Sequence, residues 1–134
     1  MAEKVIVFQD KDFETSYRAQ YPDEPGRAEP HKIEHLDELT PYGMLLASLG
    51  ACTALLLNTY SRHHDMEVSG VEIELQYLSE PKEHIDLSIQ VSGNLSAADR
   101  ERLFKVSYHC PIHKMLKNGI EVRPRLAEVP VKSI

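Results

Sequence analysis

The sequence predicts an α+β fold, and three observations carry that reading. From Leu39 to Ser61 no residue is charged, and Thr40-Pro41 opens the stretch as a helix start would. Two runs with strict apolar–polar alternation follow, which is the pattern of a strand hairpin covering a core on one side. Beyond the hairpin, capping signals open two shorter helices. At 134 residues the chain suits one domain spanning 1–134. A domain of that size removes roughly two-thirds of its unfolded surface from water, so it needs no metal or disulfide staple.

In chain order, Val5–Phe8 and Phe13–Arg18 read as short strands around the polar turn Gln9–Asp12. Gln20–Pro30 holds three prolines and a glycine and is a loop. His31–Leu36 is a weakly alternating third strand. The helix runs from Pro41 to about His63, with Asp37 and Glu38 just ahead of it, where a helix N-terminus favours negative charge. In Val71–Tyr77 the apolar side chains are Val71, Ile73, Leu75 and Tyr77; in Ile85–Val91 they are Ile85, Leu87, Ile89 and Val91. Ser96 and Asp99 form a capping box for a helix to about Tyr108. Pro111 begins a shorter helix that Asn118-Gly119 ends. Ile120–Val129 reads as a last strand, with Pro124 marking an edge or a bulge.

The long helix raises two questions. It is long enough to cross a bilayer, which takes about 20 apolar residues. Pro41, Gly43, Ser48, Gly50, Thr53, Asn58 and Thr59 dilute it, however, and no second span follows, so the sequence argues against a membrane partner. A helix apolar on most of its circumference must be covered on most sides. One small sheet covers one side, and the rest calls for another subunit. The second question is the stripe Ala47, Gly50, Ala51, Ala54, which admits a close neighbouring backbone. Packing on the chain's own sheet and packing on another helix both satisfy it.

Composition narrows the function. A net charge of -6, from 15 Lys+Arg against 21 Asp+Glu, disfavours nucleic acid as a partner. The first residues lack the basic start and apolar run of a secretion signal, and two cysteines are too few for a disulfide scaffold. A reducing cytoplasm follows as the expected location. There the cysteine pair serves either packing or redox chemistry.

Cys110, just before Pro111, caps the short helix, where free backbone N–H groups favour a thiolate. His109 and His113 are its local neighbours. Cys52 lies in mid-helix; by spacing alone it is either a small core residue or a thiol served by a cation from elsewhere. Cys110-Pro-Ile-His113 also has metal-ligand spacing, with Cys52, His63, His64 and His109 as the pool for further ligands. No second paired motif accompanies it, and no metal or cofactor site is expected. His63 and His64 suit a solvated helix C-terminus.

Two segments resemble the OsmC/Ohr family of thiol-dependent peroxide-handling proteins. Thr40-Pro-Tyr-Gly-Met-Leu-Leu-Ala-Ser-Leu-Gly-Ala-Cys52-Thr53 is similar to the family's central helix leading into its reactive cysteine. Cys110-Pro-Ile-His-Lys-Met-Leu116 is similar to its second cysteine motif. The resemblance covers nearly the whole chain after His31. It implies an OsmC-like fold, with antiparallel sheets wrapped around a long central helix in an intertwined homodimer. It also implies that Cys52 is the peroxidatic and Cys110 the resolving cysteine. The cycle it implies passes through a Cys52 sulfenic acid and a Cys52–Cys110 disulfide, which an external dithiol reduces. Neither metal nor cofactor takes part. Apolar surroundings would favour an organic hydroperoxide, since a buried alkyl group gains roughly 0.8 kcal/mol per CH₂.

The sequence departs from that family's peroxide-reducing pattern in two places. Tyr42 and Gly43 stand where those members carry a Glu. No Arg aligns with their thiolate-supporting one, which leaves Arg18, Arg27, Lys32 and Glu38 as the candidate supports. Two rival readings remain: an OsmC-fold dimeric ligand-binding or redox-sensing protein without useful turnover, and a metal-binding protein built on Cys110 and His113.

Overall fold

The computed structural model describes residues 4–20, 30–32 and 39–127. Its elements are β1 (Lys4–Asp10), β2 (Thr15–Gln20), β3 (His31–Lys32), α1 (Pro41–His63), β4 (Glu67–Leu78), β5 (His84–Asn94), α2 (Ala97–Ser107) and α3 (Pro111–Asn118). The strands form one antiparallel sheet in the order β3-β2-β1-β4-β5. One face of it carries the core: Val5 and Val7 of β1, Tyr17 of β2, and Val71, Ile73 and Leu75 of β4 are all buried. This is the mixed antiparallel architecture expected from the alternation.

α1 lies across that face. Thr40 caps it by accepting a hydrogen bond from the Gly43 N–H at 3.1 Å, and Arg62 and His63 occupy its last turn. Its small stripe packs on the chain's own sheet. A Cβ built on Gly50 would stand 2.7 Å from Val7 Cγ2 and 2.8 Å from Leu75 Cδ1, so only a residue without one lets helix and strands meet this closely. Ala47 and Ala54 are fully buried in the same contact. The helix passes the length and apolarity test for a membrane span, but half of that window is buried inside this fold.

A polar pin fixes α1 along β1. Asn58 donates to Gln9 Oε1 at 2.6 Å and to the Asp10 carbonyl at 3.1 Å, and Gln9 donates to Thr15 Oγ1 at 2.9 Å. Asn58 and Gln9 are both buried, so each amide depends on the other for its hydrogen bonds. Nearby, the β1–β2 turn is closed by Asp10 Oδ1, which accepts from the N–H groups of Asp12 and Glu14.

The capping box of α2 forms as expected between Ser96 and Asp99. α3 ends at Gly119, whose φ of 79° is readily adopted by glycine. The expected last strand is not present over residues 120–127, which run outside any ladder; residues 128–129 lie outside the described residues. Alternation there is real, with Ile120 and Val122 apolar, but a strand exists only against a partner edge, and among the described residues none pairs with it. Of the expected third strand only His31–Lys32 is described, paired with Ser16 and Tyr17.

Candidate active site

The two cysteines are carried by α1 and α3. Leu45, Ser48, Cys52, Leu55 and Thr59 follow helical spacing on the side of α1 away from the sheet. Of these, Cys52 alone is partly buried and the others are exposed, with Leu45 at 43% and Leu55 at 49%. Cys110 is the N-cap of α3 and is 1% exposed. Both are free thiols. Burial pushes the Cys52 thiol above its ordinary pKa, and the neighbouring Cys110, by repelling its negative charge, pushes it further the same way. The fold therefore brings two cysteines 58 positions apart near enough to interact electrostatically, and among the described residues nothing offsets the two influences that disfavour the Cys52 thiolate.

Sheet geometry explains why. Val7 and Tyr17 pair and both point into the core, so Ile6, Phe8 and their partners Arg18 and Ser16 point to the opposite face. Lys32 pairs with Ser16 and shares that outer face. Arg18 there contacts Glu72 at 3.5 Å. Neither Arg18 nor Lys32 can reach Cys52 of its own chain, because the whole sheet lies between. Arg27 and Glu38 fall outside the described residues.

At the start of α1, Tyr42 is exposed in the first turn. Its ring lies 5.5 Å from that of Tyr77, whose hydroxyl donates to Glu83. Glu83 of the β4–β5 connection is thus linked to Tyr42 through the Tyr77 ring.

Between β5 and the helices is a cleft of about 650 Å³, whose lining includes residues adjacent in sequence to Cys52 (Thr53) and near Cys110 (Tyr108, His113) but neither cysteine itself. Ile85, Leu87 and Ile89 form its floor; Thr53, Phe104 and Tyr108 are among its walls. His113 lines it too, with its ring 6.1 Å from that of Tyr108. This cleft was not foreseen from the sequence. The alternation of β5 marks an inward face, but nothing local says that α2 and α3 leave part of that face open.

His84 lines the cleft as well. His109 and His63 are exposed, and His64 stacks on Tyr60 at 3.9 Å with Nδ1 2.9 Å from the Tyr60 carbonyl. Among the described residues, no group of three or more His, Cys, Asp or Glu is placed to hold a metal ion.

Three comparisons bear on this arrangement. A search of curated proteins finds no match. Among solved structures, the chain resembles an OsmC-like hydroperoxide resistance protein from Jannaschia sp. CCS1, with a TM-score of 0.60 at 15% identity over 94% of this chain and 93% of that one. At that identity the likeness speaks for the fold. The family model for OsmC-like proteins matches residues 34–125, a span that includes both cysteines and well over half of the sequence. Helix, hairpin and both cysteine motifs thus fall inside one family match, and the chain belongs to the OsmC-like family.

Proposed function

We propose that this protein reduces organic hydroperoxides through its thiols, as a cytoplasmic homodimer built from the whole chain as one domain. The observation that supports the reading is a pair of free cysteines near enough to interact electrostatically, Cys52 half-buried on α1 and Cys110 buried at the N-cap of α3. The hydroperoxide resistance named for the structural neighbour supports it. In the first step the Cys52 thiolate attacks the terminal peroxide oxygen, the O–O bond breaks, and the alkoxide leaves and takes a proton as the alcohol. Cys52 is then a sulfenic acid. The Cys110 thiol condenses with it, forming the S–S bond and releasing water. An external dithiol restores both thiols by exchange. Every electron in this cycle comes from sulfur, so no cofactor enters it.

Assembly as a dimer is supported by what one chain leaves uncovered. The α1 stripe with Leu45 and Leu55 is open, and Ile120, Val122 and Leu126 are 61%, 80% and 95% exposed. A second copy is the simplest cover for apolar area of that extent.

The test is intact-mass and free-thiol analysis before and after one equivalent of cumene hydroperoxide. Loss of both thiols with a mass decrease of about 2 Da, and a sulfenic adduct only in Cys110→Ser, is the expected result. Thiols untouched by peroxide would end this reading. The second reading, a dimeric ligand-binding or redox-sensing protein without useful turnover, would then stand. The raised Cys52 pKa and the outward-facing Arg18 and Lys32 favour it.

A further inference from the structure

Neither cysteine lines the cleft between β5 and the helices, so its chemistry is separate from that of the thiols. Its lining is graded. Leu49, Thr53 and Ser107 are buried, Ile85, Leu87 and Ile89 are partly buried, and the charged residues Glu83, Asp86 and Lys117 are exposed at the rim. One wall is aromatic: the Phe104 ring meets Tyr108 edge-on at 5.4 Å, and Tyr108 lies 6.1 Å from His113. The two buried hydroxyls donate to carbonyls of their own helices, Thr53 to Leu49 at 2.9 Å and Ser107 to Phe104. The buried part of the cleft therefore offers no side-chain donor to an anion and suits an apolar body.

A charged head has to stay at the rim. There Lys117 and His113 stand one turn apart on the same side of α3, and among the described residues Lys117 has no ion-pair partner. His84 is engaged through Nδ1, 2.7 Å from the Lys82 carbonyl. Glu83, which accepts from the Tyr77 hydroxyl, and Asp86 bring negative charge to the β5 side. One anionic group beside Lys117 is favoured by this rim, and a second is opposed by the two carboxylates.

A second copy is a poor occupant. The core of a protein interface is depleted in charge, whereas this cleft carries Glu83, Asp86 and Lys117 around an apolar floor. The apolar residues that call for a second copy, Leu45, Leu55, Ile120, Val122 and Leu126, do not line it. Its volume of about 650 Å³ falls within the range of small-molecule sites.

From these features we infer that the cleft binds an aromatic monocarboxylate, with its ring system between the β5 floor and the Phe104–Tyr108 wall and its carboxylate at Lys117 and His113. A planar ring lies flat on a strand face and meets other rings edge-on or offset. The carboxylate accepts from the Lys117 ammonium and the His113 ring N–H. Such binding is independent of the thiol cycle, since it uses neither cysteine.

The probe is 2-naphthoate, titrated calorimetrically into the full-length protein in its native assembly. Expected is saturable binding of one probe per chain with a dissociation constant below about 1 mM. Nuclear Overhauser contacts should join the probe's ring protons to the methyl groups of Ile85, Leu87 and Ile89. The alcohol 2-naphthalenemethanol keeps the ring without the charge, and naphthalene-2,6-dicarboxylate adds a second charge; each should bind about tenfold more weakly. Lys117→Met, at an exposed position, should weaken 2-naphthoate about tenfold while leaving the urea midpoint and the affinity for the alcohol unchanged. Absence of saturable binding overturns the inference. So does binding without contacts to the β5 methyls, which is what a second copy seated in the cleft would leave. An alcohol or a dicarboxylate that binds as tightly as the monocarboxylate overturns the assignment of the head group.

Discussion

Gly50 and Val7 are in such close approach that a single added carbon on the glycine would stand 2.7 Å from the valine Cγ2. The middle of α1 is thereby held against β1 two residues before Cys52, and Cys52 inherits its height above the sheet from this contact. Gly50→Val is expected to lower unfolding free energy by about 1–3 kcal/mol through overpacking, measured by urea titration. A valine variant as stable as the parent would show that the contact is not tight.

The Asn58–Gln9 pair gives a second stability prediction. Asn58→Leu leaves the buried Gln9 Oε1 without its donor, while Gln9 Nε2 keeps Thr15, and should cost about 1–3 kcal/mol. Adding Gln9→Met removes the stranded group, so the double variant should be less destabilised than the sum of the two single changes. Strict additivity in the cycle would mean that the two amides do not depend on one another.

Burial and the neighbouring Cys110 both disfavour the Cys52 thiolate, so its share at neutral pH falls below that of a free cysteine. Peroxide consumption should therefore keep rising with pH through about 8.5, the ordinary thiol range, without reaching a plateau near 7. Stopped-flow rates from pH 6 to 10 measure this. A plateau by pH 7 would mean that a cation from another copy, or from residues outside those described, reaches the sulfur.

If a second copy covers the open stripe of α1, a charge placed there must disrupt assembly. Leu55→Asp should raise the dimer dissociation constant by more than about tenfold, since an unpaired buried charge costs well over 1.4 kcal/mol. Sedimentation equilibrium of the parent and the variant reads it directly. Identical association in both would place the interface elsewhere.

Cys52→Ser and Cys110→Ser should separate the two thiol roles. The first should abolish peroxide-dependent thiol loss; the second should retain one turnover and then stop, because no disulfide can form with a serine. Consumption of one peroxide equivalent per chain in Cys110→Ser checks it.

The elements most legible in the sequence were those whose signals are local. α1 runs from Pro41 to His63 as expected, because Thr40-Pro41 and the basic last turn mark its ends and an uncharged run joins them. The Ser96–Asp99 capping box and the Gly119 stop are likewise settled within a few residues. β4 proved longer than its alternation, from Glu67 to Leu78, because ladder hydrogen bonds continue past the irregularity at Val68/Gly70 where side-chain pattern no longer marks them. Residues 120–127 alternate yet form no strand, since pairing is a property of two segments and no described segment pairs with this one.

By itself, then, the sequence determined the helix, the hairpin, the order of elements and the two cysteines, all of which follow from periodicity, capping and residue type. Tertiary structure alone decided that the small stripe of α1 meets its own sheet and that Cys110 comes near enough to Cys52 to interact with it electrostatically. It alone decided, too, that Arg18 and Lys32 face away from both. The reason is parity and register: a strand residue's face depends on which neighbour it pairs with, and one step along the strand exchanges core for solvent.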